Sequence, residues 1–339
     1  MGLIQLTHER RPDLLNAARN AIARSLDSAG LMTVGPTVDE RDFVAHLVLG
    51  QVPGLVERWQ QALGPTVQLE FFSVYCHARP QVDIAGGGRC ELGDILWCHF
   101  HTDAKRHETR TAALQQVKKA TRVPHRLRKG ELTQLTLYRT WPPFDFYQWR
   151  EEDPHRHVRP DCIRRGAEYV LVAPDATNRT IVGAPYGTGA GCCVPDEQLV
   201  VHQSLASRLV GLLSLTDGDP FDKRGVSPQG SDWSRMIWDL IDYGLVKAFT
   251  WRQAGYVSQP RYSGTVPAKL LHRQSGSPTV GDRMRALLGG PSEFELNLVR
   301  AESGDSPPSS SGSAFHDDEP PRGISIVALA SFDMGEVPR

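Results

Sequence analysis

The stretch of sequence that decides the fold is ELGDILWCHFHTDAKRHETRTAALQQVKK, residues 91–119. It contains two runs with the composition of strands, residues 92–100 and 111–119, which are separated by a short charged segment. Two such runs, close in sequence and joined by a polar turn, favour a β-hairpin. The placement of the candidate side chains depends on whether these two strands pair with each other.

Alternation along the second strand predicts which side chains share a face. Successive side chains of a strand point to opposite sides, so Gln116 and Lys118 project together while Val117 points the other way. Asp94 lies at the start of the first strand. If the strands pair as a hairpin, Asp94, Gln116 and Lys118 converge at one end of a sheet.

The segments on either side of the hairpin predict an α/β fold. Helical patterns precede it and one strand-like run, VQLEFFSVY, leads into it, whereas a helix and a further strand follow. The order helix, three strands, helix, strand indicates a central mixed and mostly consecutive sheet flanked by helices. The predicted helices cover residues 12–26, 39–49, 53–63 and 128–139, and the predicted strands flanking the hairpin cover 67–75 and 167–173.

The second half of the chain contains two long amphipathic patterns, at residues 197–215 and 232–249, which predict core helices, the latter with a cap at Ser231. Two further strands are predicted at 294–300 and 324–332, joined by a low-complexity segment that predicts disorder. The predicted organisation is a helical segment (1–50), a core (51–180), a helical or α+β region (181–300), a disordered loop (301–323) and a terminal strand (324–339).

Composition excludes some classes of protein. The 339 residues include 38 Lys and Arg against 39 Asp and Glu, a net charge of -1, which excludes a strongly basic nucleic-acid protein and an acidic disordered chain. The six cysteines are few and irregularly spaced, as in reduced cytoplasmic proteins. No signal peptide and no membrane-spanning apolar run is visible, so we expect a cytoplasmic protein with no membrane contact.

Charge is nevertheless unevenly distributed. Residues 105–129 contain nine basic residues and one acid, a local charge of +8. Such a segment is typical of a surface that holds a phosphate backbone, although a solvated face or a site for an acidic partner protein has the same composition. The residues predicted to bind nucleic acid are Lys105, Arg106, Arg110, Lys119, Arg122, Arg126 and Arg128.

A carboxylate, a second oxygen ligand and an ammonium group are what metal-assisted phosphodiester hydrolysis requires, and Asp94, Gln116 and Lys118 supply them. The chemistry also requires another acid. Glu57, on the helix before the first strand, is our preferred candidate, and Glu70, within that strand, is the alternative. The predicted cofactor is Mg²⁺ or Mn²⁺, held by Asp94, Gln116 and Glu57.

With Gly93 and Asp94 at the first strand and QVK at 116–118, the sequence resembles the PD-(D/E)xK nuclease superfamily, in particular its Mrr-like members with glutamine before the lysine. The resemblance covers residues 52–175. It implies a restriction-endonuclease-like core with N-terminal helices and a C-terminal α+β extension. It also implies that Asp94 binds metal, Gln116 is the second ligand, Lys118 is the catalytic lysine and Glu57 is the helix acid.

The function implied by the resemblance is a metal-dependent endonuclease, acting on DNA rather than RNA, in bacterial defence. The chain departs from the family pattern, since Gln116 replaces an acid and Gly93 replaces the proline. Loss of the acid weakens metal binding, so the alternative is a catalytically inactive nucleic-acid-binding or scaffold subunit. A homo-oligomer or a partner subunit stays open.

Two other motifs have competing interpretations. Cysteine and histidine residues around the first hairpin strand offer a zinc site, but Cys98 and His99 are adjacent and point to opposite sides of a strand. The residues considered for zinc are Cys90, Cys98, His99, His101 and His107.

The aromatic segment at 141–149 predicts core packing in preference to stacking on bases.

Overall fold

The computed structural model is a mixed α/β structure in which a central sheet of eight strands is flanked by helices. The predicted strand at 294–300, the predicted cap at Ser231 and most of the predicted loop at 301–323 lie outside the described residues. The structure describes residues 2–32, 40–75, 77–78, 80–147, 155–158, 166–173, 179, 189–225, 232–253, 268–269 and 322–334.

The helices confirm most of the sequence pattern. A π-helical turn, His46–Gln51, joins α3 to α4, and a 3₁₀ turn, Lys129–Glu131, precedes α5. Within the described ranges, no helix has the length and apolar character needed to cross a membrane. The α-helices of the described residues are α1 (Leu3–Glu9), α2 (Arg11–Met32), α3 (Glu40–Ala45), α4 (Val52–Leu63), α5 (Leu132–Thr140), α6 (Leu205–Leu213) and α7 (Asp232–Gln253).

The prediction of one helix over 197–215 is wrong in its first half. Residues 198–204 form two short strands, and α6 begins only after Ser204, whose Oγ accepts a hydrogen bond of 3.0 Å from Ser207 N. A serine that caps the helix in this way satisfies an amide at its first turn and fixes where the helix starts.

The strands divide between the central sheet and three small sheets. They are β1 (Val67–Val74), β2 (His77–Ala78), β3 (Gln81–Ile84), β4 (Arg89–Glu91), β5 (Ile95–Thr102), β6 (Glu108–Lys119), β7 (His125–Arg126), β8 (Phe144–Phe146), β9 (His155–Arg156), β10 (Ala167–Val172), β11 (Ala190–Cys193), β12 (Gln198–Leu199), β13 (Val201–Ser204), β14 (Asp219–Pro220), β15 (Ala268–Lys269), β16 (Arg322–Gly323) and β17 (Ser325–Asp333).

The central sheet has the order β13-β11-β10-β6-β5-β17-β1-β15, with β14 pairing beside it on β6. The predicted hairpin is present, since β5 and β6 pair antiparallel, and β10 then pairs parallel to β6. The expectation of a mostly consecutive sheet is wrong. The last strand, β17, lies between β1 and β5, and β11 and β13 extend the same sheet beyond the predicted core boundary at residue 180.

Burial explains why the last strand occupies the centre of the sheet. Strand β17 carries apolar side chains on both faces: Ile326 and Ala328 belong to one core, and Val327 and Leu329 belong to the other. A strand that is apolar on both sides is stable only where both sides are covered. The residues before it, Arg322–Gly323, also pair with β2, so the predicted loop ends in a strand.

Two apolar cores lie on opposite faces of the sheet. Helices α1 to α4 and α6 pack on the face that contains Val117, whereas α5 and α7 pack on the face that contains Leu114. The described part of the aromatic segment, residues 141–147, packs as predicted into the core that contains Leu114, where the rings of Trp141 and Trp233 lie edge to face with centroids 6.0 Å apart. Leu114 and Val117 of β6 thus lie in cores on opposite faces of the sheet, which confirms the alternation expected along this strand.

A chain of buried hydrogen bonds joins the two histidines of β5 to β17. Ser331 Oγ lies 2.8 Å from His99 Nε2 and 2.9 Å from His101 Nδ1, and His99 Nδ1 lies 2.9 Å from the carbonyl oxygen of Leu212. Because a carbonyl oxygen only accepts, His99 carries its proton on Nδ1 and its Nε2 accepts from the Ser331 hydroxyl. Burial lowers the pKa of His99 to about 3.

This arrangement leaves the zinc alternative without support. Cys98 faces the core on the opposite side of β5 from His99, and His107 is exposed in the turn after β5. Within the described ranges, no group of three or more histidine, cysteine, aspartate or glutamate side chains is placed to hold a metal ion. The ring nitrogens of His99 and one ring nitrogen of His101 are instead engaged in hydrogen bonds with Leu212 and Ser331.

Buried His99 should make folding sensitive to mildly acidic pH. Its lowered pKa means that the unfolded chain takes up a proton below about pH 6.5 that the folded chain refuses, so stability falls as pH falls. We expect His99→Gln to reduce that slope by up to about 1.4 kcal/mol per pH unit. Urea denaturation between pH 7 and 4.5 measures it, and an unchanged slope would contradict the prediction.

Candidate functional site

The hairpin places Asp94 opposite Gln116. Asp94 immediately precedes β5, whose first residue, Ile95, pairs with Gln115. The backbone N–H of Asp94 donates to the Gln115 carbonyl at 2.9 Å, and the Asp94 carbonyl accepts from Ser325 N at 3.1 Å. The backbone of Asp94 is thus fixed from both sides, by β6 and by β17.

Helix α5 holds the turn that leads into β5. The Tyr138 hydroxyl donates to the carbonyl oxygen of Leu92 at 2.8 Å. Gly93, which stands where the family pattern has proline, packs so closely that an added Cβ would lie 2.8 Å from Leu114 Cδ1. The same Cβ would lie 3.1 Å from the Tyr138 hydroxyl, so glycine permits the close approach of α5 and β6 to this turn.

The Asp94 carboxylate accepts two hydrogen bonds from β6. Its Oδ2 accepts from Gln116 Nε2 at 2.6 Å and from Val117 N at 2.7 Å. Gln134 Nε2 donates to both Gln116 Oε1, at 2.5 Å, and the Glu91 carbonyl, at 2.9 Å. Because that carbonyl can only accept, Gln134 must present its NH₂ group, and Gln116 must turn its own NH₂ group toward Asp94.

The surroundings of Asp94 disfavour its negative charge. Burial raises the pKa of its carboxyl group, and the nearby carboxylates of Glu91 and Glu40 raise it further. The hydrogen bond from Val117 N and the positive charge of Lys118 act in the opposite direction, but the pKa remains well above its ordinary value. A bound cation or a proton would relieve this repulsion.

Lys118 is paired with a carboxylate other than Asp94. Its Nζ lies 3.1 Å from Glu131 Oε1, and Glu131 Oε2 accepts from Arg128 N at 2.7 Å. Burial alone would lower the pKa of Lys118, but the carboxylates of Glu131, Glu40 and Asp94 outweigh it, and the pKa is raised. Lys118 is therefore an ammonium ion at neutral pH, within the electrostatic reach of Asp94.

Neither predicted additional acid joins the site. Glu57 lies on the exposed side of α4, and in the part of the chain that the structure describes no hydrogen bond or ion pair links it to Asp94, Gln116 or Lys118. Glu70 is buried on β1, and β17 separates that strand from β5.

The helix acid that does approach the site is one that the sequence analysis missed. Glu40, the first residue of α3, accepts a hydrogen bond of 2.6 Å from Lys119 N at the end of β6. A carboxylate in a predicted helix before the first strand was the available signal, and Glu40 and Glu57 share it. The packing of α3 against β6 is what brings Glu40 to the end of β6.

The basic residues form two groups, one at each end of the hairpin. Lys105 and Arg106 are exposed in the turn between β5 and β6, whereas Arg110 is buried and bonded to the carboxylate of Glu108. A strand rises about 3.3 Å per residue, so the two ends of β6 are roughly 36 Å apart. The residues at the Asp94 end are Lys119, which is half-buried, and Arg122, Arg126 and Arg128, which are exposed.

The charges that act on His125 include those of Lys118 and of two members of this second group, Arg122 and Arg128. Burial lowers the pKa of His125, Glu131 opposes that shift, and the positive charges of Lys118, Arg128 and Arg122 lower it further.

Comparison with protein-family models, with curated proteins and with solved structures finds no match. The function must therefore be argued from this arrangement of side chains.

Proposed function

We propose that the protein is a metal-dependent phosphodiesterase that cuts nucleic acid, with DNA as the preferred substrate, on a restriction-endonuclease-like core. One observation carries the proposal: the Asp94 carboxylate and the Lys118 ammonium lie together at the end of β5 and β6, beside exposed arginines. The hairpin, then α5, then β10 is also the order of elements on which the resemblance to the PD-(D/E)xK superfamily rests.

The residues fit a magnesium or manganese ion held mainly by Asp94. Mg²⁺ is commonly bound through one or two carboxylates, with water and phosphate oxygens completing its shell. Asp94 supplies one carboxylate whose raised pKa favours neutralisation by a cation. Gln116 fits less directly, because its NH₂ group faces Asp94, and an oxygen becomes available there only if Gln134 releases it.

Each residue then has a defined role. A bound divalent cation would lower the pKa of a coordinated water and offset charge on the phosphate. The carboxylate of Asp94 would hold that cation, and the hydrogen-bonded backbone of Asp94 would keep this ligand in position. Lys118 offsets the negative charge that builds on the phosphate, and Arg122, Arg126 and Arg128 hold neighbouring phosphates along the strand.

The assay that tests the proposal is cleavage of supercoiled plasmid and of linear duplex DNA in Mg²⁺, in Mn²⁺ and in EDTA. We expect nicking or linearisation in either metal and none in EDTA. An intact substrate in both metals, with DNA binding retained, would overturn the enzymatic part of the proposal.

A second candidate is a catalytically inactive nucleic-acid-binding or scaffold subunit. Two observations favour it: Gln116 replaces an acid, and within the described ranges no three acids, histidines or cysteines are grouped to share an ion. This candidate predicts salt-sensitive binding without turnover, and binding that survives Asp94→Asn.

Neutralising the arginines at the Asp94 end should weaken DNA binding. Each phosphate contact contributes about 0.9 to the slope of log K against log salt, so R122Q/R126Q/R128Q should reduce that slope by up to about 2.7. The matched control, K105Q/R106Q/K223Q, removes three charges at the opposite end of the hairpin, where Lys223 lies 4.0 Å from Glu108. Anisotropy titrations between 50 and 200 mM salt compare the variants. Equal losses in both would place the interface elsewhere.

A further inference from the structure

The carboxylate of Glu131 occupies a position built to hold an anion. One oxygen lies 3.1 Å from the Lys118 ammonium, and the other accepts from the backbone N–H of Arg128 at 2.7 Å. An ammonium group together with a main-chain N–H is a donor pair that also binds phosphate oxygens. The Lys118 side chain is only 12% exposed, and Glu131 already occupies one position at hydrogen-bonding distance from its Nζ.

We propose that Glu131 is an internal competitor for the phosphate group that Lys118 binds, so that nucleic acid must displace Glu131 to engage the site. This inference rests on the proposed function, because it assumes that a phosphate approaches Lys118. A carboxylate and a phosphodiester each carry one negative charge, so the Lys118 ammonium has a counter-ion both before and after the exchange. The inferred role of Glu131 is to reduce the affinity for phosphate groups that do not bring further contacts.

The location of Glu131 allows this exchange. It is the last residue of the 3₁₀ turn Lys129–Glu131, none of whose residues is buried, so its side chain can swing away without opening the core. Burial alone would raise the pKa of Glu131, but the hydrogen bond from Arg128 N and the positive charge of Lys118 outweigh it, and the pKa is lowered. The competing group is therefore ionised at neutral pH.

Capping of the turn explains only half of the contacts of Glu131. The bond from Arg128 N to Glu131 requires an acceptor oxygen, which glutamine supplies as well as glutamate does. The contact with Lys118 requires the negative charge. Glu131→Gln therefore keeps the cap and removes the competitor, which separates the two roles.

The experiment measures binding of a fluorescent 20-base-pair duplex in EDTA, so that cleavage plays no part. We expect E131Q to bind about fivefold more tightly than the wild type, as for the loss of a partly exposed ion pair. The matched control is E197Q. Glu197 is exposed and its carbonyl accepts from Leu127 N at 3.0 Å, so this variant removes the same charge from the same surface without touching Lys118.

A double-mutant cycle with Lys118→Met completes the test. If Glu131 competes at Lys118, the advantage of E131Q should disappear in the K118M background, whereas a general charge effect would persist. An E131Q effect no larger than that of E197Q, or one that survives K118M, would overturn the inference. Absence of salt-sensitive binding in every variant would instead overturn the proposed function. Melting temperatures confirm that the variants are folded.

Discussion

Replacement of Asp94 by asparagine is expected to reduce metal-dependent DNA cleavage by at least about 100-fold, because several kcal/mol of transition-state stabilisation depend on the bound cation. Asparagine has the same shape but no charge, and a neutral amide oxygen is a weak ligand for a hard cation. The measurement is the rate of plasmid nicking in Mg²⁺ under single-turnover conditions.

The same substitution should not destabilise the protein at neutral pH. The side-chain oxygen of the introduced asparagine can still accept from Gln116 Nε2 and Val117 N, while the ionised carboxylate, which its surroundings disfavour, is gone. Because the folded state raises the pKa of Asp94, the stability contributed by this group is present at low pH and is lost as pH rises through the folded pKa. The variant should therefore gain in free energy of unfolding relative to the wild type between pH 5 and pH 8, as measured in urea.

A matched control separates the charge at the site from charge in general. Asp103 lies in the turn at the opposite end of the hairpin, where its Oδ1 accepts from Lys105 N and His107 N at 2.8 Å each. D103N should cleave at the wild-type rate. Retention of most activity by D94N would show that Asp94 is not the metal ligand, and unfolding of D94N would show that the carboxylate is structural.

The position of Asp94 opposite Gln116 could be predicted because it depends on local rules. A short polar segment between two strands of similar length enforces antiparallel pairing, and the two-residue period of a strand then decides which side chains meet. Both rules act within residues 91–119. The pairing observed in the structure, from Ile95 with Gln115 to Thr102 with Glu108, follows from them.

The place of β17 could not be predicted in the same way. Its pairing joins Ser325 to Ile95, far apart in the chain, with no turn to set the register. Apolar side chains on both faces indicate an interior strand but do not name its neighbours. Tertiary packing alone decided that β17 separates β1 from β5, and with it that Glu70 is remote from the site.

Two errors could have been avoided from the sequence. The apolar stripe of α4 directs Leu55, Val56 and Trp59 into the core, which leaves Glu57 on the opposite, exposed face. The basic residues of 105–129 are close in sequence but not in space. A hairpin places its turn, with Lys105 and Arg106, at the opposite end from Arg122, Arg126 and Arg128. In both cases the predicted helix or hairpin was sufficient to show where these side chains lie.

The substitution with the largest expected effect on stability is Arg208→Met. Arg208, on α6, is 2% exposed, and its Nε donates to Glu168 Oε1 on β10 at 2.8 Å. Gln115 Nε2 donates to the same oxygen at 2.6 Å, and Trp97 Nε1 donates to Gln115 Oε1 at 2.8 Å. This network lies on the opposite face of the sheet from Gln116 and ties α6 to three neighbouring strands.

Removal of Arg208 should lower the free energy of unfolding by about 3–5 kcal/mol, because it leaves the Glu168 carboxylate buried without its counter-ion. Burial already raises the pKa of Glu168, and Arg208 is the main opposing influence. Without Arg208 the pKa should rise further, so Glu168 becomes protonated at a higher pH. The destabilisation should then be smaller at pH 5 than at pH 8, as measured by urea denaturation at both values.

Two controls show whether the loss comes from the uncompensated charge. R208M/E168L replaces both partners with apolar groups and should recover most of the stability, since a buried ion pair is often no more stabilising than apolar residues of similar volume. R89A breaks an ion pair with Asp83 in which both side chains are more than 40% exposed, and it should cost less than about 1 kcal/mol. If R208M costs no more than R89A, the network does not hold α6 on the sheet. If the double variant is as unstable as R208M, the loss comes from packing of the arginine side chain or from its contact with Asp217, whose Oδ1 lies 3.4 Å from Arg208 Nη1, rather than from the isolated charge of Glu168.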